Sequence, residues 1–208
     1  MIPMAERQVT SPAKVLERLS AGKLVQDRWV EGSLDLDPLV VSRWLCGEDM
    51  RGVYQPIVLH NCLLDDLDLH GRTFYETVEL VDCRVMVAHF VCSYFYSILQ
   101  VEDCVFDGEF QGRGIQNDGR MMINNTVFAG PADFSDLIIG GRVSLSDVSF
   151  PGGTNLLHVL AQSPQYQLGT TITFNACRFR AADVPEDIDC AQLGIDILEE
   201  HEPADPAG

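Results

Sequence analysis

An eight-residue phrase recurs along this chain at near-constant spacing, and no other feature restricts the fold as tightly. Its clearest copy, Val78 to Val85 (VELVDCRV), alternates apolar with polar residues. Equivalent phrases run from Ile57 to Leu64, Leu99 to Phe106, Met121 to Phe128, Val143 to Phe150 and Ile172 to Phe179, so that successive copies begin 21, 21, 22, 22 and 29 residues apart. A fixed period of about 20 to 50 residues marks stacked supersecondary units, each too small to bury its apolar face alone.

Inside the repeat, apolar pairs fall at Ile57/Leu59, Cys62/Leu64 and Leu67/Leu69, a five-residue step that recurs at 78/80 and 83/85, 132/134 and 137/139, and 143/145 and 148/150. Alternation of period two means short strands. Four such steps make a square coil of about 20 residues, and stacked coils bury the paired positions. The expectation is an all-β fold: a right-handed parallel β-helix, a quadrilateral solenoid of about seven coils on the order of 34 Å long, with short N- and C-terminal capping helices.

The rest of the chain is arranged around that rod. Residues 1–23 are read as an N-terminal capping helix, with Ser11 as N-cap, Pro12 at the first helical position, Gly22 after the last turn and Val15, Leu16 and Leu19 as its apolar stripe. Residues 1–10 carry no pattern and are expected to be mobile. Residues 24–180 form the solenoid. Its first, degenerate coil is placed by Leu36, 23 residues before Leu59, and Ser42 to Gln55 closes that coil or bulges from it. The long last step implies a loop insertion at 151–171, in which Leu156, Leu157, His158, Val159 and Leu160 tuck against the rod as a short helix or project as a protein-contact surface. Residues 181–208 are read as a C-terminal helix over Pro185 to Glu200 followed by an acidic tail, with Ile188, Leu193, Ile195 and Leu198 covering the open end or pairing with a second copy.

Cys62, Cys83, Cys104 and Cys177 occupy one repeat position, where the other two copies carry Thr126 and Val148. A ligand or disulfide column would not accept Thr and Val; a tight packing slot would. The histidines, His60, His70, His89, His158 and His201, show no metal spacing, so neither a metal nor a cofactor is expected. Asp82, Asp103 and Asp147 with Asn61 and Asn125 form a second column, whose spacing would suit paired carboxylates of a carbohydrate-active enzyme. Its recurrence in every regular coil argues instead for a structural role, bonding to backbone amides at a corner, and the chain is read as a non-enzyme.

The formal charge is −17, of which −9 lies after Arg180, where there is no Lys or Arg. Such a surface does not hold a nucleic-acid backbone, so direct nucleic-acid binding is not expected. No apolar run approaches the roughly 20 residues that cross a bilayer, and the expected location is cytoplasmic, away from membranes.

The paired positions, together with Asp65-Asp66-Leu67-Asp68-Leu69 and Ala132-Asp133-Phe134-Ser135-Asp136-Leu137, resemble the pentapeptide-repeat family over residues 34 to 180. Most steps depart from that family's Ala-Asp/Asn-Leu pattern, and the coils exceed its 20 residues. The resemblance implies a quadrilateral β-helix acting as a protein-binding scaffold, in its specific version an acidic DNA mimic directed at a topoisomerase or another DNA-binding protein. A self-associating structural module, such as a homodimer, is the alternative.

Overall fold

The computed structural model describes residues 7–45, 48–163, 168 and 171–198. Its strands are short and set side by side at intervals of one repeat. In the first sheet, Val25–Gln26, Ile57–His60, Val78–Val81, Ile98–Glu102, Arg120–Asn124, Arg142–Ser146 and Ile172–Asn175 follow one another in chain order, all parallel. Their register places Ile57, Val78, Leu99, Met121, Val143 and Ile172 in one line, which is the phase of the repeated phrase. A second sheet joins the rows through Leu64, Val85, Phe106 and Phe128 and through Leu67, Ala88, Phe110 and Ala132, because Leu63–Asp68 runs through both. The third holds Thr73–Phe74, Tyr94–Phe95, Gln116–Asn117 and Ile138–Ile139. Parallel neighbours one repeat apart in these three sheets are compatible with a β-helix.

Alternation decides what lies between the sheets. Val78, Leu80, Cys83 and Val85 are buried, whereas Glu79, Val81, Asp82 and Arg84 are only partly covered. Stacking copies of one position also stacks like on like. Phe106, Phe128, Phe150 and Phe179 form a column with ring centroids 4.8, 4.9 and 4.8 Å apart, the spacing of neighbouring strands. Phe110 meets Phe106 and Phe128 edge-on, an arrangement that aromatic quadrupoles favour.

The cysteine column is interior. Cys62, Cys83, Cys104, Thr126, Val148 and Cys177 are each fully buried. The Cys83 thiol donates to the Leu59 carbonyl at 3.2 Å and that of Cys104 to Leu80 at 3.5 Å, so each bonds to the repeat before it. The Cys83 thiol and burial hold Cys62 far above the ordinary thiol range, and the Cys104 thiol and burial do the same for Cys83. A group held as thiol is a poor nucleophile.

Corners explain two further columns. Asp27, Asn61, Asp82, Asp103, Asn125, Asp147 and Ala176 all have left-handed φ, between 43° and 57°. Asp and Asn tolerate that conformation better than other non-glycine residues, and this backbone demand accounts for the column. The opposite corner turns the same way at Gly71, Cys92, Gly114 and Asp136. The change from 21 to 22 residues per repeat arises at a third corner: two residues separate Leu64 from Leu67 and Val85 from Ala88, but three separate Phe106 from Phe110 and Phe128 from Ala132. The added corner residues include Gly108, Gly130 and Gly152, which stack so closely that a Cβ on Gly130 would lie 2.1 Å from the Gly108 carbonyl oxygen.

Both ends differ from expectation. Gln8–Thr10, expected to be mobile, is a strand parallel to Arg28–Asp35, while residues 1–6 lie outside the described residues. Helix α1, Pro12–Ser20, buries Val15 and Leu19. Leu36 does not align with Leu59; its amide donates to the Asp68 carbonyl, which puts it level with Leu69, and Val25 takes the place opposite Leu59. The displacement comes from an antiparallel hairpin, Val41–Leu45 with Glu48–Gly52, inserted in the first repeat. Arg72 at the base of this region is 8% exposed and pairs with Asp35 and with Asp68, tying the first repeat to the second.

The segment Pro185 to Glu200 is not one helix. Only Cys190–Leu193 (α3) is helical, with the Asp189 carboxylate accepting from the Gln192 amide. Gly194, at φ +71°, stops it. The chain then runs on as Ile195–Leu198, parallel to Cys177–Arg180, with Ile197 opposite Phe179. Residues 199–208, including the expected tail, lie outside the described residues.

Two tests follow from the stacking. Cys83→Val should cost about 1–2 kcal/mol or less in urea unfolding, while Cys83→Asp should abolish folding by burying an unpaired charge; in the native chain the four column thiols, Cys62, Cys83, Cys104 and Cys177, should react with a thiol reagent only after unfolding. At the corners, Gly130→Ala should destabilise by about 3 kcal/mol, because backbone rather than side chain must give way. Gly71→Asn should cost at most about 1 kcal/mol, since its site is left-handed but open.

Candidate interaction surfaces

Helix α2, Leu156–Ala161, occupies the long last step. It starts after the Pro151–Gly153 turn, where the Thr154 hydroxyl accepts from the Leu156 amide at 3.2 Å. Asn155 clamps it to the preceding repeat, accepting from the Phe134 amide at 2.7 Å and donating to Asp133 at 2.7 Å. Burial opposes ionisation of Asp133, but hydrogen bonds from Ser135 and Asn155 outweigh it and hold the carboxyl below its ordinary value. Leu156, Leu157 and Leu160 are buried. Of the two placements expected for Leu156 to Leu160, the structure has the short helix against the stack: three of the five residues fill the interior beside Leu137 and Ile172. Only His158 is exposed, and Val159 is half-buried.

At the C-terminal end, Ile188, Leu193 and Leu198 are half-buried and Ile195 is buried. Their neighbour Ile197 is 45% exposed although it continues the inward column beyond Phe179. Among the described residues Ile195–Leu198 pairs with one strand only, which leaves its outer edge open, a configuration that invites further strand pairing.

The corner column carries charge on the outside. Asn61 donates to Asp27 at 2.6 Å and Asn125 to Asp103 at 2.5 Å, so amides separate carboxylates that would otherwise face each other. The expected bonding of these side chains to backbone amides gives way to this bonding along the column. Elsewhere, arginines pair with Asp one repeat on: Arg84 with Asp107 and Arg113 with Asp136. The bonds that Arg84 donates to Asp107 raise its pKa.

His60 meets Glu79 at 2.6 Å, and His89 lies 3.5 Å from Asp66 and 2.9 Å from the Gln111 side-chain oxygen. His89, Asp66, Asp68 and His70 line a shallow depression of about 300 Å³. Among the described residues no three His, Cys, Asp or Glu side chains converge as a metal site would require, and no helix is long and apolar enough to cross a membrane.

Three surfaces lie outside the apolar pairs of the repeat. On the inserted hairpin, Trp44 is 74% exposed and the Arg43 guanidinium sits 4.3 Å above the Tyr54 ring. Tyr54, Tyr75 and Tyr96 stack on one another at 4.4 and 5.0 Å; burial and Tyr54 push the Tyr75 phenol up to about 12. Their spacing of 21 residues was available in the sequence, but they face outward and do not join the apolar pairs. At the N-terminal end, a cavity of about 550 Å³ is lined by Lys14, Arg18, Lys23 and Arg28 with Gln8 and Thr10. Both lysines of the chain stand there, a clustering also visible in the sequence. Compared with protein-family models, curated proteins and solved structures, the chain matches none.

Proposed function

We propose that this chain is a non-enzymatic scaffold, a right-handed quadrilateral β-helix of the pentapeptide-repeat kind, whose outer surface binds another protein. Right-handedness is what parallel strands joined by crossovers adopt almost without exception. In the specific version the partner is a DNA-binding protein, such as a topoisomerase, whose basic groove takes the rod in place of DNA. The observation that carries this reading is the line of outward carboxylates at one corner, Asp82, Asp103 and Asp147, running along the stack. Seven strands at about 4.8 Å span on the order of 30 Å, close to one turn of duplex. Residues 29–180 hold nineteen acidic and nine basic residues, and four of the latter, Arg72, Arg84, Arg113 and Arg180, are already paired with aspartates. A basic groove would be drawn to such a rod, chiefly through faster association.

Supercoiling by purified gyrase, measured over a wide range of added protein, should be inhibited or protected; no effect at any concentration removes the topoisomerase version. The variant Asp82→Asn/Asp103→Asn/Asp147→Asn should fold normally, because asparagine already occupies the same corner at Asn61 and Asn125. It should bind the partner more slowly and with a weaker salt dependence, and unchanged binding would take the acidic corner out of the reading.

Self-association is a second reading, favoured by the open edge of Ile195–Leu198 and the exposed Ile197. Light scattering that gives a monomer mass up to high concentration would exclude it.

A further inference from the structure

The two ends of the stack are complementary. At the N-terminal end, among the described residues, Gln8–Thr10 pairs only with Arg28–Asp35, which leaves its outer edge without a strand. At the other end the outer edge of Ile195–Leu198 is equally without a strand among the described residues. Both belong to the same row: Thr10 lies opposite Val30, Val30 opposite Leu64, and the line runs through Val85, Phe106 and Phe128 to Phe150, Phe179 and Ile197. Each end strand also carries a large apolar residue in solvent, Val9 at 52% and Ile197 at 45% exposed.

Charge distinguishes the ends. Residues 7–28 contain Arg7, Lys14, Arg18, Lys23 and Arg28 against Glu17 and Asp27, and of these Lys14, Arg18, Lys23, Arg28 and Glu17 line the 550 Å³ cavity. Among the described residues none of Lys14, Arg18, Lys23 and Arg28 forms an ion pair. The C-terminal end presents Asp187, Asp189 and Asp196, all exposed, and the sequence continues with Glu199, Glu200, Glu202 and Asp205 without a single Lys or Arg. Two C-terminal ends brought together would set these carboxylates against each other. A C-terminal end brought to an N-terminal end would set them against unpaired cations.

We propose that copies of this chain associate end to end, the acidic C-terminal edge strand Ile195–Leu198 of one copy docking in parallel against Gln8–Thr10 and the cationic cavity of the next. The inference rests on the self-association reading and replaces two-fold pairing with a heterologous contact, which leaves one free end of each kind and so can extend. Strand pairing supplies the contact and the charges choose the orientation. High salt weakens the choice, since exposed charges are screened beyond about 8 Å at physiological ionic strength.

Two variants, each altered at one end only, test it. Lys14→Glu/Lys23→Glu changes exposed side chains of the cavity, and Ile197→Lys changes the opposite end; circular dichroism first establishes that both fold, and Lys14→Gln/Lys23→Gln serves if the charge reversal does not. In sedimentation velocity at low salt the unaltered chain should grow in mass with concentration past the dimer, and revert toward monomer at high salt. Each variant alone should stay monomeric, while their equimolar mixture should form a two-chain complex and nothing larger, because it contains one working end of each kind. A cavity variant that dimerises by itself overturns the proposal in favour of two-fold pairing and leaves self-association standing. An unaltered chain that is monomeric at every concentration, even where inorganic phosphate binds the cavity, overturns both.

Discussion

Every residue of the stack must tolerate a copy of its own position about 4.8 Å away, and most of the structure follows from that constraint. Inside, phenylalanine on phenylalanine satisfies it by offset stacking, and Cys, Thr and Val interchange because each fills the same small slot. Outside, the constraint is harsher, since like charges set opposite one another between strands repel. The corner column relieves this with Asn61 between Asp27 and Asp82 and Asn125 between Asp103 and Asp147, leaving Asp82 and Asp103 as the adjacent like-charged pair. The amide side chains thereby do what a counter-ion would do elsewhere.

The same rule makes an insertion contagious. A corner that gains one residue displaces the backbone outward, and the next repeat can pack on it only by gaining a residue at the same place. Gly108, Gly130 and Gly152 show this, each occupying space that a Cβ would take from the backbone below. The 22-residue spacing accordingly persists through those repeats and ends where helix α2 takes over the filling of the interior. An insertion that leaves the stack altogether, such as the hairpin of Val41–Leu45 and Glu48–Gly52, escapes the rule and appears once.

This explains what the sequence could disclose. Where position follows position at a fixed step, from Ile57 to Phe150, the phase of pairing and the inward residues are legible, because burial and register are the same fact. Leu36 was misplaced because a hairpin of no fixed length separates it from the regular repeats; the better markers were Asp27, at the left-handed corner, and Trp29, opposite Leu63. At the other end Ile188, Leu193, Ile195 and Leu198 fit a helical face as well as Ile195 and Ile197 fit a strand, and what decides is the free edge of Cys177–Arg180, which is a tertiary property. On the sequence alone Leu156 to Leu160 fit a tucked helix as well as a projecting surface, and what decides is the interior beside Phe134 and Leu137 that they fill. The acidic column was visible, but its cause is the backbone conformation rather than the side chain's hydrogen bonding.

For the proposed protein-binding scaffold, recognition divides into two parts. A ladder offers the same group at each level, so contact with a long charged groove accumulates over several repeats and tolerates sliding by one of them; it gives attraction and orientation but little registration. Registration has to come from features that occur once. The hairpin with Trp44 and Arg43 beside the tyrosine stack is one such feature, and aromatic and arginine side chains are the types that anchor protein interfaces. The two unlike ends are the others. On this view the regular repeats set the length and field of the rod, and the interruptions decide what it meets and in which direction.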